Sequence, residues 1–222
     1  MIIVHHLENS RSQRILWLLE ELNLPYEIKH YQRDPQTKLA PLALTQVHPL
    51  GKSPVITDGE ITIAESGAII EYLIQKYGPD FGFEAGTSDW IDYQYWMHYA
   101  EGSLMPVLFL GLVFSMIKKK PMPFFAKPII KKMANGIHAS LINPNLQRHM
   151  NFIEAHLKQN TWFAGDKLSG ADFQMIFTLE AAAVRGGLEK YYPAANDYLE
   201  RIRSRPAYRN TIEKGGPLQL LT

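Results

Sequence analysis

The sequence predicts an α/β unit at residues 1–78 and an all-helical unit at residues 90–222, joined by a linker at residues 79–89. Three observations carry this division. Strand and helix signals alternate over the first part. The hairpin signature Asp58-Gly59, set between β-branched runs, falls inside it. Beyond it, apolar residues recur at helical spacing with almost no strand pattern.

Each element has its own justification. Ile2 to Val4 is a short β-branched strand, and Ile15, Leu16, Leu18, Leu19 and Leu22 then recur at helical spacing until Asn23 and Pro25 stop the helix. YEIKHY, Tyr26 to Tyr31, alternates as a strand does, and a less regular stretch follows to Gln46. In PVITDGEITIAES, Asp58-Gly59 supplies the positive-φ residues of a tight turn between antiparallel strands. Ser66 stands where an N-cap belongs, before a helix that ends near Tyr77. The segment GPDFGFEAGTSD has the Gly, Pro and acidic content of a linker. Helices are then expected from about Trp90 to Met116, Pro128 to Leu157, Ala171 to Arg185 and Ala194 to Ser204.

Composition narrows the chemistry. The chain has 222 residues, 46% hydrophobic and 20% charged, with a formal net charge of +1, so no global attraction draws it to nucleic acid or to an anionic membrane, and any partner must be recognised locally. It has no cysteine, which excludes disulfides, thiolate metal sites and any mechanism in which the protein supplies its own nucleophilic sulfur. MIIVHHLENS lacks a basic n-region followed by a long apolar run, so no secretory signal is expected and the cytosol is the expected compartment. The longest apolar run, Ser103 to Ile117, is interrupted by Pro106 and Gly111 and is shorter than the roughly 18 to 20 residues that span a bilayer, so it reads as a buried helix and no membrane span is expected.

Several polar groups are candidates for a site. His5-His6 with Glu8 and Ser10 suggests a metal or hydrolase arrangement, but neighbouring strand residues point to opposite faces and no G-x-S-x-G turn surrounds a serine; no metal is expected. Lys118 to Lys120, with Lys127, Lys131 and Lys132, form the basic cluster of the chain and read as a solvated loop and helix face, with a local anionic partner as the alternative. Ser169 and Asp172 in LSGADF have capping-box spacing and a structural role. HPLGKSPVI places a proline directly before an apolar strand, where a cis Ser53-Pro54 bond would expose the Ser53 backbone to an extended peptide. Lys52 adds a positive charge, the helix start at Ser66 offers N–H groups to a carboxylate, and Glu65 could receive an ammonium. Together these suit a short peptide with a carboxylate at each end and an amine at one.

S-R-S-Q-R at Ser10 to Arg14, H-P-L-G-K-S-P-V at His48 to Val55, E-S at Glu65-Ser66 and the capping segment at Ser169 to Asp172 occur in an order that resembles the glutathione transferases over essentially the whole chain. The resemblance implies a thioredoxin-like N-terminal domain followed by an all-α domain, glutathione as co-substrate, a small hydrophobic electrophile and a homodimer, with no nucleic acid involved. It assigns the cysteinyl backbone to Ser53, the glycine carboxylate to Lys52 and the γ-glutamyl end to Glu65 with Ser66. With no tyrosine before Tyr26 and no cysteine, the chain is similar to serine-type members, whose spacing to an arginine in the first helix selects Ser10 through Arg14. Ser12, in the first helical turn, is expected to serve the backbone.

The implied activity is stabilisation of the glutathione thiolate and its attack on the electrophile, with detoxification and reduction of organic peroxides as the implied range. Lowering a thiol pKa of about 8.5 by about two units takes roughly 2.7 kcal/mol, within reach of a hydroxyl donor plus a helix N-terminus. Asn9 and Arg11 are the secondary candidates beside Ser10. Tyr95, Tyr99, Met105 and Phe109 are the candidates for the electrophile wall, read from helix-compatible spacing. The alternatives are a binding or partner module with little turnover, and a glutathione-dependent isomerase or dehalogenase.

Overall fold

Four strands form one mixed sheet, in the order β2-β1-β3-β4. The computed structural model describes residues 1–186 and 188–220. β1 (Ile2–Leu7) continues three residues past the β-branched run because β2 pairs with it along its whole length, while β3 pairs with it as far as His5. β2 (Tyr26–Tyr31) lies parallel to it, with α1 (Ser12–Glu21) as the crossover that a parallel pair requires. β3 (Val55–Asp58) and β4 (Ile61–Ala64) add on antiparallel.

The hairpin differs from the expectation in one respect. Asp58 pairs with Ile61 as the last strand residue, which leaves Gly59-Glu60 as the two-residue loop, with Gly59 at φ +64°. The Asp58 carboxylate instead gathers Lys76, Tyr77 and Tyr72, whose hydrogen bonds hold it far below the usual carboxylate range. All three lie on α2 (Ser66–Tyr77), so this carboxylate fixes the hairpin to the helix that follows.

Helices make up the rest. α3 (Ser88–Tyr99) runs through a π turn, Ala100–Leu104, into α4 (Met105–Lys119). α5 (Ala126–Ile137) runs through a second π turn, His138–Ile142, into α6 (Asn143–Leu157). Each π turn ends two residues before a proline, Pro106 or Pro144. A proline ring strikes the carbonyl four residues back, here Gly102 or Ser140, and the widened turn gives that carbonyl room, so both helices continue instead of stopping. α7 (Gly170–Gly186), α8 (Leu188–Tyr191), α9 (Pro193–Arg203) and α10 (Pro206–Gly215) complete the chain. α10 has no counterpart among the expected helices. Pro206 is its first residue, where the missing N–H costs nothing.

The run from Ser103 to Ile117 is not the buried helix that its composition suggests. On α4 only Met105 and Leu108 are buried, and Phe109 is 60% exposed. Together with α3 it makes a 32-residue helix long and apolar enough, by length and composition, to cross a membrane. Glu101 at its centre is instead paired with Arg11 and Arg14 of the N-terminal unit, and its flank packs on α7.

Buried apolar residues of the sheet, of α1 and α2, and of the helices beyond residue 88 form one continuous core. Trp17 of α1 sits at its centre, edge-on to Phe173 of α7 at 4.5 Å and to Tyr208 of α10 at 5.6 Å. The last described residues return to β1: His6 Nε2 meets the Gly215 carbonyl at 2.9 Å and Asn9 Oδ1 accepts the Gln219 N–H at 2.6 Å.

Candidate active site

The end of β1, the start of α1 and the loop before β3 meet at three serines. Ser10, Ser12 and Ser53 are brought together because β1 pairs with β3 while α1 turns back over the sheet. The Ser53–Pro54 peptide is cis. Ser53 Oγ donates to the His5 carbonyl at 2.9 Å and accepts the Leu7 N–H at 3.2 Å, so toward Ser10, 3.4 Å away, it can act as acceptor.

Ser10 is buried, and its Oγ lies 2.7 Å from Ser12 Oγ. Ser12 Oγ is in turn 2.8 Å from His6 Nδ1, closer than its 3.4 Å contact with the Leu7 carbonyl. The protons can be assigned along this chain. A carbonyl only accepts, so His6 Nε2 carries the hydrogen toward Gly215 and a neutral ring offers Nδ1 as a lone pair. Burial pushes the His6 pKa down and keeps that ring neutral. Ser12 therefore donates to His6, and Ser10 gives its single hydrogen to Ser12 at 2.7 Å rather than to Ser53 at 3.4 Å. This corrects the expectation that Ser12 serves only the backbone: its hydroxyl links Ser10 to an imidazole.

The secondary candidates are engaged elsewhere. Asn9 adopts φ +51°, and its side-chain oxygen is taken by the Gln219 N–H. Arg11 donates to Glu101 at 2.8 Å and lies over the Phe177 ring at 5.4 Å.

Arg14 holds the far end of the site. Its guanidinium is fully buried and donates to Ser66 Oγ at 3.1 Å and to Gln174 Oε1 at 2.7 Å, with Glu101 Oε1 at 3.0 Å and the Phe177 ring at 5.3 Å. Burial pushes it down to about 10, which leaves it charged at neutral pH. Glu101 is pushed up by its own burial, yet Arg14 and Arg11 outweigh that and hold it below the ordinary value. Sequence reasoning used Arg14 only as a spacing mark; nothing local signals that one side chain joins α1, α2, the π turn and α7.

Ser66 is the first residue of α2 rather than its cap. The cap position falls to Glu65, exposed and at φ +72°, ψ +119° without a capping hydrogen bond. A non-glycine residue held in that region stores about 1 to 3 kcal/mol of strain. Lys52 is exposed beside Ser53.

A cavity of about 690 Å³ opens next to Ser10, lined by its neighbours Asn9 and Arg11, by Arg33 and Lys38, by Met105, Phe109 and Leu112 of α4, by Phe177 of α7 and by Leu220. Met105 and Phe109 thus stand in its wall, but Tyr95 and Tyr99 do not. Tyr99 is buried, 2.5 Å from His149 Nδ1, and Tyr95 stacks on it beside Trp96 and Phe152. The π turn between the two pairs inserts an extra residue and rotates the helix face, so spacing counted along an ideal helix puts all four on one wall wrongly. Phe177 and Leu220 carry no local mark of their place in this wall.

Ser169 and Asp172 are structural. Asp172 is fully buried and accepts from Ser169 N, Ser169 Oγ, Phe163 N and Tyr198 Oη at 2.9–3.1 Å. The Ser169 hydroxyl donates to the carboxylate rather than receiving an N–H, so only one half of the reciprocal box forms.

Known proteins match the chain over nearly its whole length. Residues 1–75 match the model for the glutathione S-transferase N-terminal domain and residues 142–206 that for the C-terminal domain. Glutathione S-transferase 3 of Schizosaccharomyces pombe is 40% identical over 96% of this chain and 88% of its own length. Glutathione S-transferase 1 of Saccharomyces cerevisiae is 35% identical over 98% and 97%. Among solved structures, a glutathione S-transferase from Actinobacillus pleuropneumoniae superposes with a TM-score of 0.77 at 34% identity, covering 99% of this chain and 95% of its own. A homologue from Lodderomyces elongisporus, 19% identical with a TM-score of 0.72 and covering 97% and 99%, was solved with two glutathiones per subunit. With family models matching both its N-terminal and C-terminal parts and relatives of nearly the same length 35–40% identical to it, the chain belongs to the glutathione transferase family.

Proposed function

We propose that this chain binds glutathione, stabilises its thiolate with the Ser10 hydroxyl and directs the sulfur at a hydrophobic electrophile in the adjoining cavity. The observation that carries the reading is the position of Ser10 Oγ, 3.4 Å from Ser53 Oγ and beside a cis peptide whose backbone can pair with an extended tripeptide. In this reading the Ser53 main chain meets the cysteinyl unit, Lys52 the glycine carboxylate and Glu65 the ammonium. The Ser66 hydroxyl already accepts from Arg14, so Ser66 contributes its N–H, with the other free N–H groups of the first turn of α2, to the γ-glutamyl carboxylate.

The thiol proton leaves to solvent. Ser10 then turns its O–H from Ser12 to the sulfur, and the thiolate forms the new carbon–sulfur bond while the electrophile's leaving group departs. Ser10 is a donor throughout and is never acylated. Met105, Phe109 and Phe177 give the cavity its apolar wall, and Arg11, next to Ser10 in the chain, adds a cation to it. The proposed setting is a cytosolic homodimer serving detoxification.

The test combines calorimetric titration with glutathione and conjugation kinetics against halogenated aromatics, epoxides, isothiocyanates and hydroperoxides. Ser10→Ala is expected to lower kcat/KM about a hundred-fold and to raise the pKa of bound thiol, since a hydrogen bond to a charged group contributes roughly 1.5 to 3 kcal/mol. An unchanged rate and thiol pKa would remove Ser10 from the mechanism. Binding without turnover on any electrophile would make the chain a binding module instead.

A further inference from the structure

All 22 acidic residues of the chain lie outside residues 102–153, and that stretch holds seven of the 23 Lys and Arg. A near-neutral protein is therefore strongly basic at one end of its helical half. Lys118, Lys119 and Lys120 close α4, and Lys127, Lys131 and Lys132 lie on or at the start of α5. The same segment carries the most exposed aromatic residue of the described chain: Phe124 is 88% exposed, with Phe125 at 65%, Ile129 at 67% and Met133 at 48%. Phe125, Ile129 and Met133 recur every four residues, which sets them on one face of α5, while Ala134 on another face is the one buried residue of that helix.

We infer that this end of the molecule is a docking surface for an anionic lipid bilayer, with the Phe124-Phe125 turn and the outer stripe of α5 entering the headgroup region and the lysines facing the lipid phosphates. An exposed apolar stripe bordered by lysines on a helix with a strongly basic polar face is the pattern of a helix that lies in the membrane interface. Charge decides between occupants. A second copy of this chain would bring like-charged lysines together around a twofold axis. A nucleic acid would use the lysines but leave Phe124, Phe125, Ile129 and Met133 without a partner. An anionic bilayer uses both.

The full-length chain is tested by co-sedimentation with vesicles of phosphatidylcholine alone and with one third phosphatidylserine. Binding is expected to the anionic vesicles and to weaken steeply with added salt. Each lysine near such a surface contributes about five-fold, so K127Q/K131Q/K132Q is expected to bind about a hundred-fold more weakly. F124S/F125S is expected to lose binding even at low salt. Both variants should keep wild-type affinity for glutathione, which shows that they are folded. Ser10→Ala is expected to bind vesicles as the wild type does, because this surface is independent of the chemistry proposed for Ser10. As a measurement without mutation, amide exchange across residues 120–128 should slow when anionic vesicles are added. The inference fails if the wild type ignores anionic vesicles, if binding survives both sets of substitutions, or if F124S/F125S changes the oligomeric mass instead.

Discussion

Ser10 stands at the end of a three-member chain, and its neighbours carry a prediction of their own. Ser12→Ala removes the hydroxyl that holds the Ser10 rotamer and leaves His6 Nδ1 buried without a donor, a loss of about 1 to 3 kcal/mol in stability. Urea denaturation should show that loss. Conjugation should fall about ten-fold, with a smaller rise in thiol pKa than Ser10→Ala gives, because the donor itself remains. A purely structural Ser12 would move the midpoint of unfolding and leave the thiol pKa where it was. The resemblance, through the spacing to Arg14, points to Ser10 of the two serines. His6 was not legible as their partner, since its role depends on α10 bringing the Gly215 carbonyl to the other side of the ring.

Asp172 sets a pH dependence. Its burial pushes the carboxyl up from 3.8 to about 6 despite four hydrogen bonds. Between those values the folded chain holds a proton that the unfolded chain has released, so this group's contribution to stability falls as pH rises. Burial lowers the pKa of His5, His6, His149 and His156, and these act in the opposite sense: the unfolded chain takes up protons first, so acidification below about 6.5 destabilises the fold. The two effects separate by comparison with Asp172→Asn. From pH 7 to pH 4 the wild type should gain about 2 kcal/mol relative to that variant, read from denaturant unfolding at both pH values.

At the scale of elements, the segment Glu65-Ser66 joins the hairpin to α2 through a strained residue. Glu65→Gly relieves the positive φ and should raise stability by about 1 kcal/mol, while glutathione affinity drops because a charged group facing the ammonium is gone. Thermal melts and calorimetry of one variant read both. The strands and most helices were legible because their apolar periods are local properties of the chain. The hairpin turn was legible through Gly59, but the fate of Asp58 was not, since it depends on three residues of α2. Pro106, Pro193 and Pro206 each begin or continue a helix: Pro106 behind a π turn, the other two at first helical positions. The wall of the cavity was half legible, because a π turn leaves no local mark beyond the proline that follows it.

The two halves share one main core, beside a small separate cluster of Leu7, Tyr31 and Leu44, and the buried charge of Arg14 lies where the halves meet. Arg14→Met would leave Ser66, Gln174 and Glu101 short of a partner, and breaking a buried pair on one side costs about 3 to 5 kcal/mol. A melting point lower by about 10 °C, in a single transition for both halves, is the expected outcome. A double transition would mean that the halves unfold separately in spite of their shared core.

The guanidinium that touches Ser66 on one side touches Glu101 and the Phe177 ring on the other. Two ligands that press on opposite ends of one rigid group are thermodynamically linked, and whatever the first does to the affinity for the second, the second must return in equal measure. Occupancy of the aromatic cavity should therefore be felt as a changed dissociation constant for glutathione, reciprocally, and that cooperativity should vanish in Arg14→Met.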